Sequence, residues 1–366
     1  MKTSALALPR SFAALRMLSA RLDLSSLLLV GSLAALGATL LFWTAIVPLL
    51  PSDWRAVLDG LELRRLPWVT LNPLGYLGFA LVFLLEWWIP ADPRQRLASR
   101  GLLQDLGWAA IATAWKIVFL TAYVAALRSF AKAHLSFLMI DSAAAWPAGV
   151  RFAVAVLLDD FVGWGNHWLR HKVPALWSLH AVHHSQRELN LLSDLRNHPL
   201  EQIVKETFHL LTLVLFGAPL SLTAAYPLVR SSFTRFYHAN IRTHLGWLRF
   251  VLVTPQSHRV HHSVEARHRD KNFGTTFCIW DRLFGTAYLD CTEYPVTGIE
   301  DRRFVHEQDR SLRELPATFR EQLLYPLRAW RDLAIGARTP AVAAVAAPDE
   351  RPSESATAPL DASRAS

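Results

Sequence analysis

The sequence predicts an all-α integral membrane protein. About four transmembrane helices plus a re-entrant hairpin would carry a cytoplasmic, histidine-rich helical cap holding a dimetal site. Three observations carry that expectation. Mean hydropathy is +0.20 with 52% hydrophobic residues over 366 positions, which favours a membrane protein over a pair of soluble domains. Uncharged runs recur at lengths suited to a bilayer. Twelve of the 15 histidines fall between positions 167 and 262.

The elements follow in order. Residues 1–26 form a basic N-terminal segment with Lys2, Arg10, Arg16 and Arg21, and residues 27–150 hold the first spans. Leu27 to Leu50 is a 24-residue run without a charge, enough to cross a core of ~30 Å at ~1.5 Å per residue. It is too long, and lies too far in, for a cleaved signal peptide. A second span is expected over Pro67–Pro90, with Glu86 near its end. A third is expected over Leu106–Leu127, where Lys116 must snorkel or face a protein neighbour. The fourth is strictly apolar only over Phe152–Leu158, between Arg151 and the Asp159–Asp160 pair. It reads as a bundle-buried helix running on into "FVGWGNHWLRH".

The positive-inside rule places the region from His167 to Lys205, with Arg170, Lys172, Arg187, Arg196 and Lys205, in the cytoplasm. Thr207–Val229 is again uncharged. A single crossing there would separate histidines that have to meet, so a hairpin turning near Gly217–Ala218–Pro219 is expected. Residues 151–290 would be the catalytic domain and 291–338 a C-terminal cytoplasmic segment. The Pro/Ala-rich residues 339–366 would form a disordered tail.

Several classes fall away on composition. The only cysteines, Cys278 and Cys291, form no CxxC pair, which excludes a disulfide scaffold, a thiolate zinc site and most iron–sulfur ligation. The formal charge of +8 is a sum of local surpluses beside apolar runs, so nucleic acid is not an expected partner.

The histidines carry the chemistry. "NHWLRH" supplies His167 and His171. "SLHAVHHS" supplies His180, His183 and His184, and "SHRVHH" repeats that spacing with His258, His261 and His262. Residues three and four apart share a helix face, so each set points one way. These eight histidines exceed what one ion can use, which implies two metals, and neutral imidazole suits iron, zinc and copper alike. Carboxylates that accept the distal N–H would orient the rings. Asp160 (two helical turns before His167), Glu201 and Asp281 are the expected ones, with capping or pairing to Arg170, Arg196, Arg259 or Arg282 as the alternative. Trp164, Trp168, Trp177, Trp247 and Trp280 would form an interfacial aromatic belt. His134, His209, His268 and His306 read as structural residues.

In "DDFVGWGNHWLRHKVPALWSLHAVHHS", "LRNHPLE", "FYHANI" and "VTPQSHRVHHSVEARHRDKNFGTTFCIWDRLFGT" the chain resembles the fatty acid hydroxylase/sterol desaturase superfamily of integral-membrane oxygenases. The tract from His258 through "WDRLFGT" is most similar to the alkylglycerol-monooxygenase-like bacterial branch, and the likeness covers roughly Asp159 to Tyr288. The resemblance implies two iron ions held almost wholly by histidine, with O₂ as co-substrate and zinc as a possible substitute in heterologous preparations. It also implies a lipid substrate in the bilayer and an external electron donor. Carried over, the ligands are His167, His171, His180, His183, His184, His258, His261 and His262, with His198 and His238 at recurrent family positions. His244 matches no such position. The implied function is hydroxylation or desaturation of a lipid or sterol-like substrate, with hydroxylation or ether-lipid cleavage favoured. Two other classes compete: a zinc-dependent membrane hydrolase, against which the absence of HExxH speaks, and a metal-transport protein, whose histidines would line the spans rather than flank them.

Overall fold

The computed structural model describes residues 73–138, 145–216 and 230–336. The basic segment 1–26, the first expected span and the tail 339–366 lie outside them. Among the described residues the chain is helical. No strand forms, and β pairing is limited to isolated bridges such as Pro90–Ile241 and Leu252–Phe277.

Helix α1, Pro73–Trp88, lies within the second expected span, whose first residues are outside the described ones. Leu81, Leu84 and Trp88 point outward, whereas Glu86 is buried. Its carboxylate accepts the backbone N–H of Leu191 at 3.0 Å and of Asn240 at 2.8 Å. The charge that looked out of place in a span therefore pins α1 to both segments beside the histidines.

Ser99 caps α2, Arg100–Trp115, by accepting the N–H of Leu102 at 3.1 Å. A π-helical turn over Lys116–Leu120 passes into α3, Thr121–His134. The third expected span is thus a bent pair, Arg100–Leu120 and Ala122–His134, turning by 41°. A π turn shifts the hydrogen-bond ladder by one residue, which is a recognised cause of such kinks. No single described helix is long and apolar enough to cross a membrane; the two helices of this bent pair reach that length and composition only when taken together.

Helix α4, Ala148–Lys172, runs unbroken for 25 residues from the fourth apolar stretch into the HxxxH pair. Pro174 ends it. The residue before a proline avoids the helical region, and Val173 accordingly sits at φ −97°, ψ 115° before α5, Pro174–His184, begins. Helix α6, Pro199–Phe216, leads away from the site, and a helix over 230–238 leads back. Arg230 Nη1 lies 2.9 Å from Asp159 Oδ2 on α4 and 3.1 Å from His209 Nε2 on α6, so the chain returns beside its own outgoing helix. The turn near Gly217–Ala218–Pro219 lies outside the described residues. Short helices α7, Pro255–His261, and α8, Ile279–Leu283, follow, and α9, Leu315–Ala334, closes the described chain.

The described part of the C-terminal segment, 291–336, is built into the core. Trp108, Ala181, Val182, Phe304 and Tyr325 pack together, joining α2, α5 and α9. Arg196 is fully buried between two carboxylates, with Nε 2.5 Å from Asp105 Oδ1 and Nη2 2.6 Å from Glu307 Oε1. Gln186, Asn190 and Ser193 donate to the other oxygen of Asp105. A buried pair satisfied this completely specifies one arrangement, and losing either partner would strand a charge.

Candidate metal centre

Nine histidines from four helices converge in two adjoining groups. His167, His171, His180, His184 and His261 form one; His183, His238, His258 and His262 form the other. Within each group one nitrogen per ring lies within 4.8 Å of all the rest. The groups meet where His184 stacks on His262, with ring centroids 4.3 Å apart and planes 17° apart.

Each HxxHH triplet is divided between the groups. His180 and His184 stay together while the ring between them, His183, joins the other group. Likewise His258 and His262 stay together while His261 crosses over. Residues four apart stack along one helix edge, and the residue at i+3 is turned slightly to the side, enough to reach a second centre. His238, at the end of the 230–238 helix, completes the second group. The short helix α7 is held open for this by a capping box: Thr254 accepts the N–H of Ser257 at 3.0 Å, and Ser257 accepts that of Thr254 at 3.0 Å.

The distal nitrogens fix the tautomers. His183 Nδ1 donates to the Arg196 carbonyl at 3.3 Å and His238 Nδ1 to the Thr234 carbonyl at 2.7 Å. A carbonyl only accepts, so the single proton of each neutral ring sits on Nδ1. The two Nε2 atoms then face each other with bare lone pairs, 3.1 Å apart. In the other group His167 Nδ1 donates to the Phe273 carbonyl at 2.9 Å and His261 Nδ1 to the Lys271 carbonyl at 2.7 Å. His261 Nε2 and His171 Nε2 are buried without a hydrogen-bond partner among the described residues. His167 Nε2 and His180 Nε2 are 3.1 Å apart. Two nitrogens each ~2.1 Å from one ion lie roughly 3 Å apart when they are neighbours in its coordination shell. The residues fit a metal in each group.

Protonation is not a way out. Burial pushes all nine imidazoles below their usual range, His261 to about 3, so no ring carries a second proton near neutrality. Converging neutral lone pairs in so little solvent are an arrangement that a bound cation would stabilise.

Of the three expected orienting carboxylates, Glu201 alone touches a ring. It is fully buried in the first turn of α6, 2.8 Å from His180 Nδ1, and it also takes Arg170. Asp160 and Asp281 hold backbone instead. Asp160 accepts from Thr275 Oγ1, Thr276 N, Phe277 N and Trp280 Nε1. Asp281 accepts from the N–H of Phe273 and of Gly274, each at 2.8 Å, and from Trp164 and Thr286. Both therefore shape the 273–277 loop, whose Phe273 carbonyl fixes His167. Sequence reasoning missed the carbonyls of Lys271, Phe273, Thr234 and Arg196 because a backbone acceptor leaves no residue type to read.

His198 stands apart from both groups. Its Nε2 donates to the Leu323 carbonyl at 3.1 Å and its Nδ1 accepts from Leu200 N. Starting a helix in front of Pro199 turns that ring toward α9. His244 accepts from Gly246 N at 3.1 Å and is likewise outside. His209 pairs with Asp159, and His268 with Glu293 and Ser263. The expected aromatic belt divides: Trp168 and Trp247 reach the surface, Trp164 is buried, Trp280 bonds Asp160, and Trp177 packs on His171 and His184.

Residues 152–286 match the family model "Fatty acid hydroxylase". An ornithine lipid hydroxylase of Rhizobium tropici is 29% identical over 157 residues, 42% of this chain and 47% of that protein. The alkylglycerol monooxygenase of Homo sapiens is 33% identical over 141 residues, 38% of this chain and 31% of its own length. That of Danio rerio is 29% identical over 218 residues, 58% and 46% respectively. The chain thus spans about a third to a half of the length of these relatives. No solved structure matches. All nine converging histidines lie inside the matched stretch, so residues 152–286 are similar to the fatty acid hydroxylase family, with a lipid hydroxylase and alkylglycerol monooxygenases among the relatives.

Proposed function

We propose that this protein is a membrane-bound, non-haem di-iron oxygenase that uses O₂ to hydroxylate or desaturate a lipid or sterol-like substrate. Hydroxylation or ether-lipid cleavage is the favoured outcome, since the relatives are named as a lipid hydroxylase and as alkylglycerol monooxygenases. The observation that carries the reading is the pair of adjoining, all-histidine groups whose Nε2 lone pairs face one another. Iron bound there would supply O₂ activation for attack on an unactivated C–H bond. The chain's own part is to keep the nine rings neutral and to lock the tautomers of His167, His183, His238 and His261 through backbone carbonyls and that of His180 through Glu201. In hydroxylation one oxygen atom enters the product and the other leaves as water, so an external donor must provide an electron pair.

A membrane setting agrees with the outward-facing apolar side chains of α1 to α4, including Leu81, Trp88, Val118, Phe119, Phe130 and Val150. Basic residues around the histidine region support a cytoplasmic cap. The test is to load purified protein with ferrous iron in lipid nanodiscs, count metal, and follow O₂ uptake and lipid products with a chemical reductant. About two metal ions per chain and lipid-dependent O₂ uptake are expected. Two metals with hydrolysis and no O₂ consumption would overturn the reading in favour of a zinc hydrolase.

A further inference from the structure

Two short loops away from the histidines carry a patch of exposed aromatic and aliphatic side chains. The 3₁₀ turn Gly246–Phe250 presents Trp247, 73% exposed, and Phe250, followed by Val251; α8 presents Leu283, 71% exposed, and then Phe284. The loops are tied together by backbone: Cys278 N donates to the Val251 carbonyl at 2.9 Å, and Leu252 bridges Phe277. Arg249 and Arg282 both lie over the Phe250 ring, at 4.5 and 5.1 Å. Isolated exposed apolar residues are ordinary, but a cluster of this kind beside stacked guanidinium groups marks an interaction surface.

The patch continues a stripe on α4. Val150, Leu157, Phe161, Trp164 and Trp168 recur at spacings of three, four and seven, which is one helix face. Phe284 stacks on Trp164 at 4.6 Å and on Phe161 at 6.0 Å, so the residue after α8 packs over that face of α4 and joins the exposed patch to it. We infer that the 246–251 and 279–284 loops are a second membrane-contact element. Its aromatic and leucine side chains would dip into the acyl boundary of the bilayer, while Arg249 and Arg282 meet lipid phosphates. This rests on the membrane reading above. Aromatic rings at the interface with arginines at headgroup level is the chemistry expected of such a contact. Asp281, behind Leu283, holds the loop whose carbonyl fixes His167, so the element would also set the height of the metal centre above the lipid.

The experiment uses full-length protein with Cys278 and Cys291 replaced by alanine, reconstituted in phosphatidylcholine–phosphatidylglycerol vesicles. Nitroxide labels go on single Leu283→Cys, Val118→Cys or Arg302→Cys variants, and collision with O₂ and with a water-soluble nickel chelate is measured. The Leu283 label is expected to favour O₂ over nickel, as at Val118 and in contrast to Arg302. An aqueous Leu283 label with a lipid-facing Val118 label would overturn this inference alone. Aqueous labels at both positions would overturn the membrane reading as well. A Leu283 label shielded from both colliders would show protein covering the patch, and would also overturn the inference.

Discussion

His183 and His238 present their Nε2 atoms to each other at 3.1 Å. Their protons are committed to the carbonyls of Arg196 and Thr234, so the facing nitrogens have nothing to share but a cation. His183→Ala should therefore empty mainly the second group and His261→Ala the first, although each residue belongs by sequence to the other triplet. Metal counting on the purified variants checks this; full occupancy in either would defeat the assignment. Glu201→Gln keeps the shape but weakens the acceptor on His180 Nδ1, and should cost about 10- to 100-fold in metal affinity, read by competition with a chelator. His198→Ala should keep its metal, because that ring spends its nitrogens on Leu323 and Leu200, and lose stability of about 1 kcal/mol in a thermal or denaturant melt.

At the scale of the element, the 273–277 loop shows how a site is held from one layer further out. A Cβ on Gly274 would come 2.7 Å from the Phe277 carbonyl and 2.9 Å from Val253 Cγ2, closer than packed atoms allow. Gly274→Ala should displace the loop, cost roughly 1–3 kcal/mol of stability and lower metal occupancy through His167, as melting and metal analysis would report. Helical spacing made the two triplets and the HxxxH pair legible in the sequence, and the apolar stretch at 152–158 pointed to the long helix α4. What spacing could not deliver was the exchange of His183 and His261, since a one-dimensional pattern tells which residues share a face but not which neighbouring face they meet. The sequence offers Asp160 and Asp281 as carboxylates that orient a ring or that cap and pair with arginine. They instead take up backbone N–H groups of a turn, a demand that becomes visible only once the turn exists. Arg196, one of several basic residues in a loop, proved to be the buried link between Asp105 and Glu307.

At the scale of the whole molecule, the rings make stability a function of pH and metal. Unfolded imidazoles titrate near 6.5, whereas burial holds the folded ones lower, His261 at about 3 and His306 at about 4. The unfolded state thus binds more protons than the folded one below 6.5. Stability is present above that pH and lost as pH falls through the window down to about 3. Metal-free protein should therefore show a melting temperature that drops steeply from pH 7 toward pH 5, and metal-loaded protein should melt higher than metal-free protein at pH 7; a flat profile would contradict the buried neutral rings. The exchange of middle histidines between triplets also has a meaning in time. During synthesis the N-terminal helices offer four of the five rings of the first group long before His261 exists, and His183 waits alone for the partners of the second. Neither group is complete on a nascent chain, so both full sets of rings assemble only at the end of folding, when the later triplet docks. A chain interrupted before that triplet would be an open chelator with no shell around it.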